Sequence, residues 1–166
     1  MRLPHVDPEG RPDRVRRGLA EVGRSRVGRW FGIEVASRSD GFLLRHSGGR
    51  LRLVAPLPTA LLTTIGARSA APRQNPVLYF HDGDDVVLVA SSFGREHSPG
   101  WAHNARHNPA VTLNGIPFTA TEVTHAGDYE RLYALATRVY PGFADYRTRA
   151  EGVGRHIPVL RLTTRS

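Results

Sequence analysis

Apolar and polar positions change their period several times along this chain, and each change marks an element. Ala60 to Ile65 is an apolar, Thr-containing run that predicts a strand. Asn75 to His81 and Asp84 to Ser91 flank Asp82-Gly83, and such a pair of β-rich runs around a two-residue turn signal predicts a hairpin. Ala110 to Leu113 and Ile116 to Val123 flank Asn114-Gly115 and predict a second one. Ile157 to Leu162 predicts a final strand. Between the strands, Pro99 to Asn108 predicts a short helix, opened by a proline and stopped by Asn108-Pro109. Tyr129, Leu132, Tyr133, Ala136, Val139 and Tyr140 fall at helical spacing, so Ala126 to Tyr140 predicts an amphipathic helix.

The N-terminal part is less regular. Met1 to Asp13 holds three prolines and little apolar character, which predicts a disordered arm. Arg14 to Phe31 is a poor amphipathic helix. Val15, Leu19, Val22, Trp30 and Phe31 could share a face, but Gly18, Gly23 and Gly28 interrupt it at about 1 kcal/mol each relative to Ala. Gly41 to Val54 mixes apolar residues with a Gly48-Gly49 turn signal. The expected organisation is a basic arm over residues 1–30 and a single domain over residues 31–166. No internal repeat is visible. Several antiparallel strands with two inserted helices suit a mainly β domain, a small closed or partly closed barrel with helical flanks.

A length of 166 residues fits one domain, and no apolar run approaches the length of a membrane span. The absence of Cys removes disulfides, thiolate nucleophiles and Cys-ligated metals. Met1 to Pro8 is polar and proline-broken, unlike a secretory leader, so the expected compartment is the cytoplasm. The formal net charge is +8 and every basic residue is Arg. Up to Arg52 there are 12 Arg against 6 acids; from Leu53 onward there are 11 against 9. The surplus at the N-terminus suits contact with phosphates, anionic lipid or a polyacidic ligand, or is simply solvated charge. The basic arm has neither interleaved aromatics nor a recognisable nucleic-acid module, so no nucleic-acid partner is expected. His103 and His107 stand at i, i+4, but no HExxH pattern surrounds them and further ligands are lacking, so no metal is expected. GxGxxG, P-loop and G-x-S-x-G signatures are absent.

Four short signatures occur in order. They are Leu61-Leu62-Thr63-Thr64-Ile65-Gly66-Ala67-Arg68-Ser69 with Arg73-Gln74-Asn75-Pro76, then Val86 to Ser92, then Pro99-Gly100-Trp101-Ala102-His103-Asn104-Ala105-Arg106-His107-Asn108-Pro109, and finally Tyr140-Pro141-Gly142-Phe143-Ala144-Asp145-Tyr146. The ordered set, covering roughly Leu43 to Leu162, resembles the deazaflavin-dependent nitroreductase family of the flavin-binding split β-barrels. The resemblance implies a split barrel and coenzyme F420, an 8-hydroxy-5-deazaflavin, with FMN as the lesser alternative. It also implies hydride transfer to an electron-poor small molecule such as a nitroaromatic, a quinone or an enone.

The same resemblance assigns candidate residues. Arg68, Ser69, Arg73, Gln74, Asn75 and Pro76 would cradle the coenzyme's phosphodiester and acidic tail, a task for which forked Arg donors are chemically suited. Read locally, the same residues form an ordinary turn with exposed arginines. Backbone from Val89 through Ala90 and Ser91 to Ser92 would lie along the deazaflavin ring, although a Ser there also suits a turn cap. Gly100, Trp101, His103 and Asn104 would contact the coenzyme from the start of the short helix, with core packing as the alternative for Trp101. Tyr140, Phe143 and Tyr146 would wall the substrate pocket, with Tyr140, Tyr146 or Ser91 as proton source; Phe143 has no hydroxyl to donate.

Two departures from the family pattern stand out. The family carries Gly-Arg-Lys-Ser-Gly or similar where this chain has Gly66-Ala67-Arg68-Ser69-Ala70. A basic residue is lost at Ala67, and the loss of glycine at Ala70 matters if that position takes a positive φ. A non-catalytic carrier of flavin, haem or lipid on the same barrel is the alternative. Oligomeric state is not legible, and the basic N-terminus leaves peripheral membrane contact open.

Overall fold

The computed structural model describes residues 3–10 and 57–165. The helix expected over Arg14 to Phe31, the segment Gly41 to Val54 and the boundary at residue 30 therefore lie outside the described residues. The order is β1 (Thr59–Ile65), β2 (Pro72–Asp82), β3 (Asp85–Val89), a single 3₁₀ turn (Ser92–Gly94), α1 (Gly100–His107), β4 (Ala110–Leu113), β5 (Ile116–Glu122), α2 (Ala126–Val139), α3 (Gly142–Gly152) and β6 (Val159–Thr164). Six strands close a barrel in the order β1-β2-β3-β6-β5-β4, and β4 returns to β1. The expected mainly β barrel with flanking helices is what forms.

Turn chemistry sets the registers. Asn114 and Gly115 take φ of 50° and 82° between the paired residues Leu113 and Ile116. A two-residue turn with both φ positive matches the twist of the strands it joins. Asn114 also ties to β1: its side-chain Oδ1 accepts from the Leu61 amide at 2.8 Å, and its backbone amide donates to the Leu61 carbonyl. In the other hairpin, Asp82 pairs with Asp85, so the loop is Gly83-Asp84, one residue beyond the Asp82-Gly83 signal. The positive φ falls on Gly83.

All neighbouring strands are antiparallel. Hence the β1–β2 turn, the β3–β4 connection with α1, and the β5–β6 connection with α2 and α3 leave the same end of the barrel. Those three segments contain nearly every residue singled out for chemistry. Val86 to Val89 are all buried. An unbroken apolar strand makes sense because α2 lies across β2, β3 and β6 and covers what would otherwise be a solvent face. Tyr129, Leu132, Tyr133, Leu135, Ala136 and Val139 form the buried side of α2, as its periodicity predicts.

Two expectations are corrected. The arm read as disordered over Met1 to Asp13 is ordered within residues 3–10. Val6 is buried, its carbonyl accepts from the His81 amide, and its amide donates to His81 Nδ1 at 3.0 Å. The Tyr79 hydroxyl donates to the Pro4 carbonyl. The Tyr79 amide donates to Pro58 and the His81 amide to Val6, so the N-terminal segment continues the flank of β2 where β1 begins. Its prolines do not prevent this, because a strand edge asks for amides only at alternate positions. The second correction is a third helix, α3. Only Phe143, Tyr146 and Ala150 are buried along it, so its apolar signal is sparse.

Candidate active site

The β1–β2 turn closes on Gly66. Its amide donates to the Ala71 carbonyl and its carbonyl accepts from Ala70, at 2.9 and 2.8 Å. A Cβ built on Gly66 would come within 2.5 Å of Ser69 Oγ, so the turn packs on the missing side chain. Ala70 takes φ of 52°, the left-handed region. The position that carries glycine in the family does require a positive φ here. Arg68, Ser69 and Arg73 are exposed on this turn, and Arg73 donates to Ser69 Oγ at 3.4 Å. Neither Arg68 nor Arg73 pairs with a carboxylate among the described residues, whereas Arg106, Arg131, Arg138, Arg147 and Arg161 all do. Gln74, Asn75 and Pro76 run on into β2 opposite Thr63, Leu62 and Leu61.

Asn104, on α1, braces this turn. Its Oδ1 accepts from the Ala67 amide at 3.0 Å, and its Nδ2 donates to Thr64 Oγ1 at 3.2 Å. Thr64 is 1% exposed, so Asn104 satisfies a buried hydroxyl. The side chain predicted to touch the coenzyme thus has both ends of its amide engaged in holding the turn to the helix. Trp101, Ala102 and Ala105 form the buried side of α1, while Gly100 and His103 are exposed. Trp101 is a core residue at 8% exposure. Among the described residues no group of His, Asp and Glu could hold a metal ion.

The chain leaves β3 through a strained turn. Ser92, Phe93 and Gly94 take φ of 47°, 57° and 73° in succession. Two of these lack the freedom of glycine, and each such residue costs on the order of 1 kcal/mol or more. Gly94 is buried against α3, where an added Cβ would meet the Tyr146 carbonyl and Arg149 Cβ at 2.8 Å. Phe93 meets the Tyr146 ring edge-on, with centroids 5.7 Å apart. Val89 and Ala90 are buried, and Ser91 and Ser92 are half-buried.

This contact sets the turn that follows the second signature against the fourth. The Tyr140 and Tyr146 hydroxyls lie 3.3 Å apart. Tyr146 is 4% exposed, and burial, followed by the Tyr140 hydroxyl, pushes its phenol well above the ordinary range. Tyr140 is half-buried. Phe143 lies in the core, edge-on to Tyr133, Tyr140 and Tyr146, and its carbonyl accepts from the Tyr133 hydroxyl at 2.9 Å.

One arginine absent from the sequence-based assignments reaches this loop. Arg155 Nη2 donates to the carbonyls of Ala90 and Ser91 at 2.9 and 2.8 Å. Its Nη1 donates to the carbonyls of Arg95 and of His97, the latter at 3.2 Å. Nothing local in Gly152-Val153-Gly154-Arg155-His156 signals this, because the four acceptors are 58 to 65 residues away.

The six strands close a barrel whose candidate site residues gather at one end. Comparison with known proteins identifies the family. The sequence model of the F420H(2)-dependent quinone reductase family matches residues 37–164. An F420H(2)-dependent quinone reductase of Mycobacterium tuberculosis strain H37Rv is 34% identical over 151 residues, spanning 84% of this chain and 99% of its own. A second relative in that strain, a putative enzyme of the same description, is 31% identical over 111 residues, or 66% of this chain and 92% of its own. Among solved structures, an F420-H2 dependent reductase, FDR-A, superposes with a TM-score of 0.55 at 31% identity, covering 64% of this chain and 94% of that one. Another, described as a domain-swapped dimer, reaches 0.57 at 29% identity over 76% and 96% of the two chains. The chain belongs to the F420H(2)-dependent quinone reductase family. It is an oxidoreductase of that family, so the resemblance to deazaflavin-dependent nitroreductases resolves to the quinone-reductase family.

Proposed function

We propose that the protein reduces quinone-type acceptors with reduced coenzyme F420 at the barrel end where the Ser92–Gly94 turn meets Tyr146 and its partner Tyr140. The observation that carries this reading is the convergence, at one end, of an anion-suited turn and a tyrosine hydroxyl pair. Arg68 and Arg73 are exposed and unpaired with carboxylates among the described residues, so their donor set fits the coenzyme's anionic tail. When bound, the coenzyme supplies a hydride, and a carbon at the redox position favours two-electron over one-electron chemistry.

Every other task falls to the chain. Arg68, Ser69 and Arg73, continued by Gln74 to Pro76, hold the tail, and Asn104 keeps their turn against α1. Backbone from Val89 to Ser92 forms the wall beside the ring, and Gly100 and His103 border it from α1. Trp101 supports that helix from the core. Tyr140 donates a proton to the acceptor oxygen while the acceptor takes the hydride, which together give the hydroquinone. Tyr146 hydrogen-bonds to Tyr140 and holds its own proton firmly, because burial disfavours its phenolate. Positioning donor and acceptor in contact, away from water, supplies much of the rate gain.

Among the described residues no helix is long and apolar enough to cross a membrane. A cytoplasmic protein whose Arg-rich stretch up to Arg52 touches an anionic lipid surface would meet quinones where they partition, and sedimentation with anionic and neutral vesicles tests that contact. For the activity, the purified protein is titrated with F420 and with FMN. Oxidation of reduced F420 is then followed with quinone, nitroaromatic and enone acceptors. F420 is expected to bind tighter than FMN and quinones to turn over fastest. Arg68→Ala and Arg73→Ala should each weaken F420 binding by about 1 kcal/mol, an exposed charge-assisted contact being worth less than a buried one. Equal affinity for FMN, or parental F420 affinity in both variants, overturns the reading.

A further inference from the structure

The turn after β3 presents a physical problem that the coenzyme does not solve. Three successive residues hold left-handed backbone, two of them with side chains. Such a run persists only where its surroundings over-determine it. The carbonyls of Ala90, Ser91, Arg95 and His97 lie outside the sheet ladder, and all four turn toward one guanidinium. The Arg155 backbone is itself anchored, since its amide donates to the Ala150 carbonyl at 2.8 Å near the end of α3. Its Nε is buried with no partner among the described residues, and burial lowers the guanidinium's affinity for its proton. Arg155 is half-buried, and taking part of a guanidinium out of water is costly, so its place here asks for a reason.

We infer that Arg155 is the positioning residue of the active-site loop: its planar fork ties both limbs of the Ser91–Gly94 turn and fixes the wall against which the coenzyme ring lies. The inference rests on the proposed role of that loop. The chemistry is specific to arginine. A guanidinium presents five N–H donors in one rigid plane, so two nitrogens can serve four carbonyls; an ammonium offers three donors around a point. Arg155 touches neither Tyr140 nor the Arg68–Arg73 turn by hydrogen bond, so its influence runs through the loop backbone alone. A cavity of about 430 Å³ borders Arg155, lined also by Tyr129, Arg147, Glu151 and His156. Truncating Arg155 would therefore leave a guanidinium-sized space open to a small solute.

Arg155→Ala and Arg155→Lys in the full-length protein test this, with three readouts. The first is hydrogen exchange at the Gly94 and Arg95 amides, which donate to Ser91 and Ser92. Exchange should speed at least tenfold there in both variants, while the amides of β3 and β6 keep parental protection. The second is F420 binding and steady-state kinetics. We expect at least a tenfold loss of coenzyme affinity in Arg155→Ala and a smaller loss in Arg155→Lys, with the acceptor KM near parental. The third is chemical rescue: millimolar guanidinium should restore affinity to Arg155→Ala and leave the parent and the Lys variant unchanged. Parental exchange at Gly94 and Arg95 in either folded variant overturns the inference, as does uniform loss of protection across the barrel. Faster exchange at the loop with parental F420 affinity upholds Arg155 as the loop's anchor and overturns the loop's assignment as the coenzyme wall.

Discussion

The hydroxyls of Tyr140 and Tyr146 approach to 3.3 Å across a break in the helix. A six-residue offset on one continuous helix would point the two side chains away from each other. Here α2 ends at Val139 and α3 begins at Gly142, so Pro141 redirects the chain and folds the rings back together. Gly142 is required for it: a Cβ at that position would stand 2.3 Å from the Tyr140 ring. The aromatic triplet is therefore one assembly, with Phe143 and Tyr146 in the core and Tyr140 at its accessible edge.

That asymmetry separates two variants. Tyr140→Phe keeps the ring and removes the hydroxyl proposed to protonate the acceptor. Turnover should fall by about a hundredfold to ten-thousandfold with F420 affinity near parental, the scale of one general-acid contribution. Tyr146→Phe leaves the Tyr140 hydroxyl in place without its buried partner, so the loss should be smaller and should fall on kcat more than on KM. Parental kinetics in both would reassign the tyrosines to packing and leave Ser91 or water as the proton source.

Ala70 offers a gain of stability. Its φ of 52° is a conformation that an L side chain occupies at a cost of about 1–2 kcal/mol, partly offset by the greater chain entropy that glycine brings to the unfolded state. Ala70→Gly should therefore stabilise the protein by about 0.5–1 kcal/mol in denaturant titration and should not weaken F420 binding. A lower unfolding midpoint at an unchanged slope would show that the turn is not strained there.

The docked N-terminal segment should respond to pH through His81. Its Nδ1 accepts from the Val6 amide, so it must be unprotonated in the bound state. Burial first, and the nearby His5 second, lower its pKa from 6.5 against a smaller opposing effect of Val6. His5 stacks on it at 4.5 Å, and Tyr79 meets it edge-on at 5.8 Å. A base whose folded pKa is depressed lends stability that is complete above its unfolded pKa and is lost as pH falls through the folded value. Protection of the Val6 and His81 amides from exchange should therefore be full above about pH 7 and decline as the solution is acidified below 6.5. Protection that is flat from pH 8 to pH 5 would exclude His81 as the controlling group.

What could be read ahead of the structure divides along the range of the interactions. Asn114-Gly115 encodes its own turn, so the β4–β5 hairpin was visible in two residues. The periodicity of α2 and the apolar run of β3 are likewise local. The docking of Val6 depends on His81, 75 residues away, and the prolines beside it suggested disorder instead. The strand-like edge uses few of the segment's amides, so its composition understates its order. In α3 the burial of just Phe143, Tyr146 and Ala150 leaves little periodic signal, and helix formation follows from packing against the Ser92–Gly94 turn. Among the site residues, the turn Arg68 to Arg73 and the pair Tyr140 and Tyr146 could be named from resemblance. Arg155 could not, since its partners are distributed over a distant loop.

Asn104 provides the sharpest test of how the turn is held. It joins α1 to the β1–β2 turn through two hydrogen bonds, accepting from Ala67 and donating to Thr64. Asn104→Ala removes both and strands the buried Thr64 hydroxyl, which should cost about 1–3 kcal/mol of stability. The loosened turn should also bind F420 less tightly. Asn104→Asp makes a different prediction. Its carboxylate can still accept from Ala67, and the Thr64 hydroxyl can reverse and donate to it, so both contacts survive and stability should stay within about 1 kcal/mol of the parent. The new negative charge, however, lies beside the turn that presents Arg68 and Arg73 to an anion. F420 affinity should fall in this variant, most at low salt and less as screening grows. If Asn104→Asp binds F420 as the parent does at low salt, the anionic tail does not lie on this turn. If Asn104→Ala is as stable as the parent, Asn104 is not the brace that its geometry indicates.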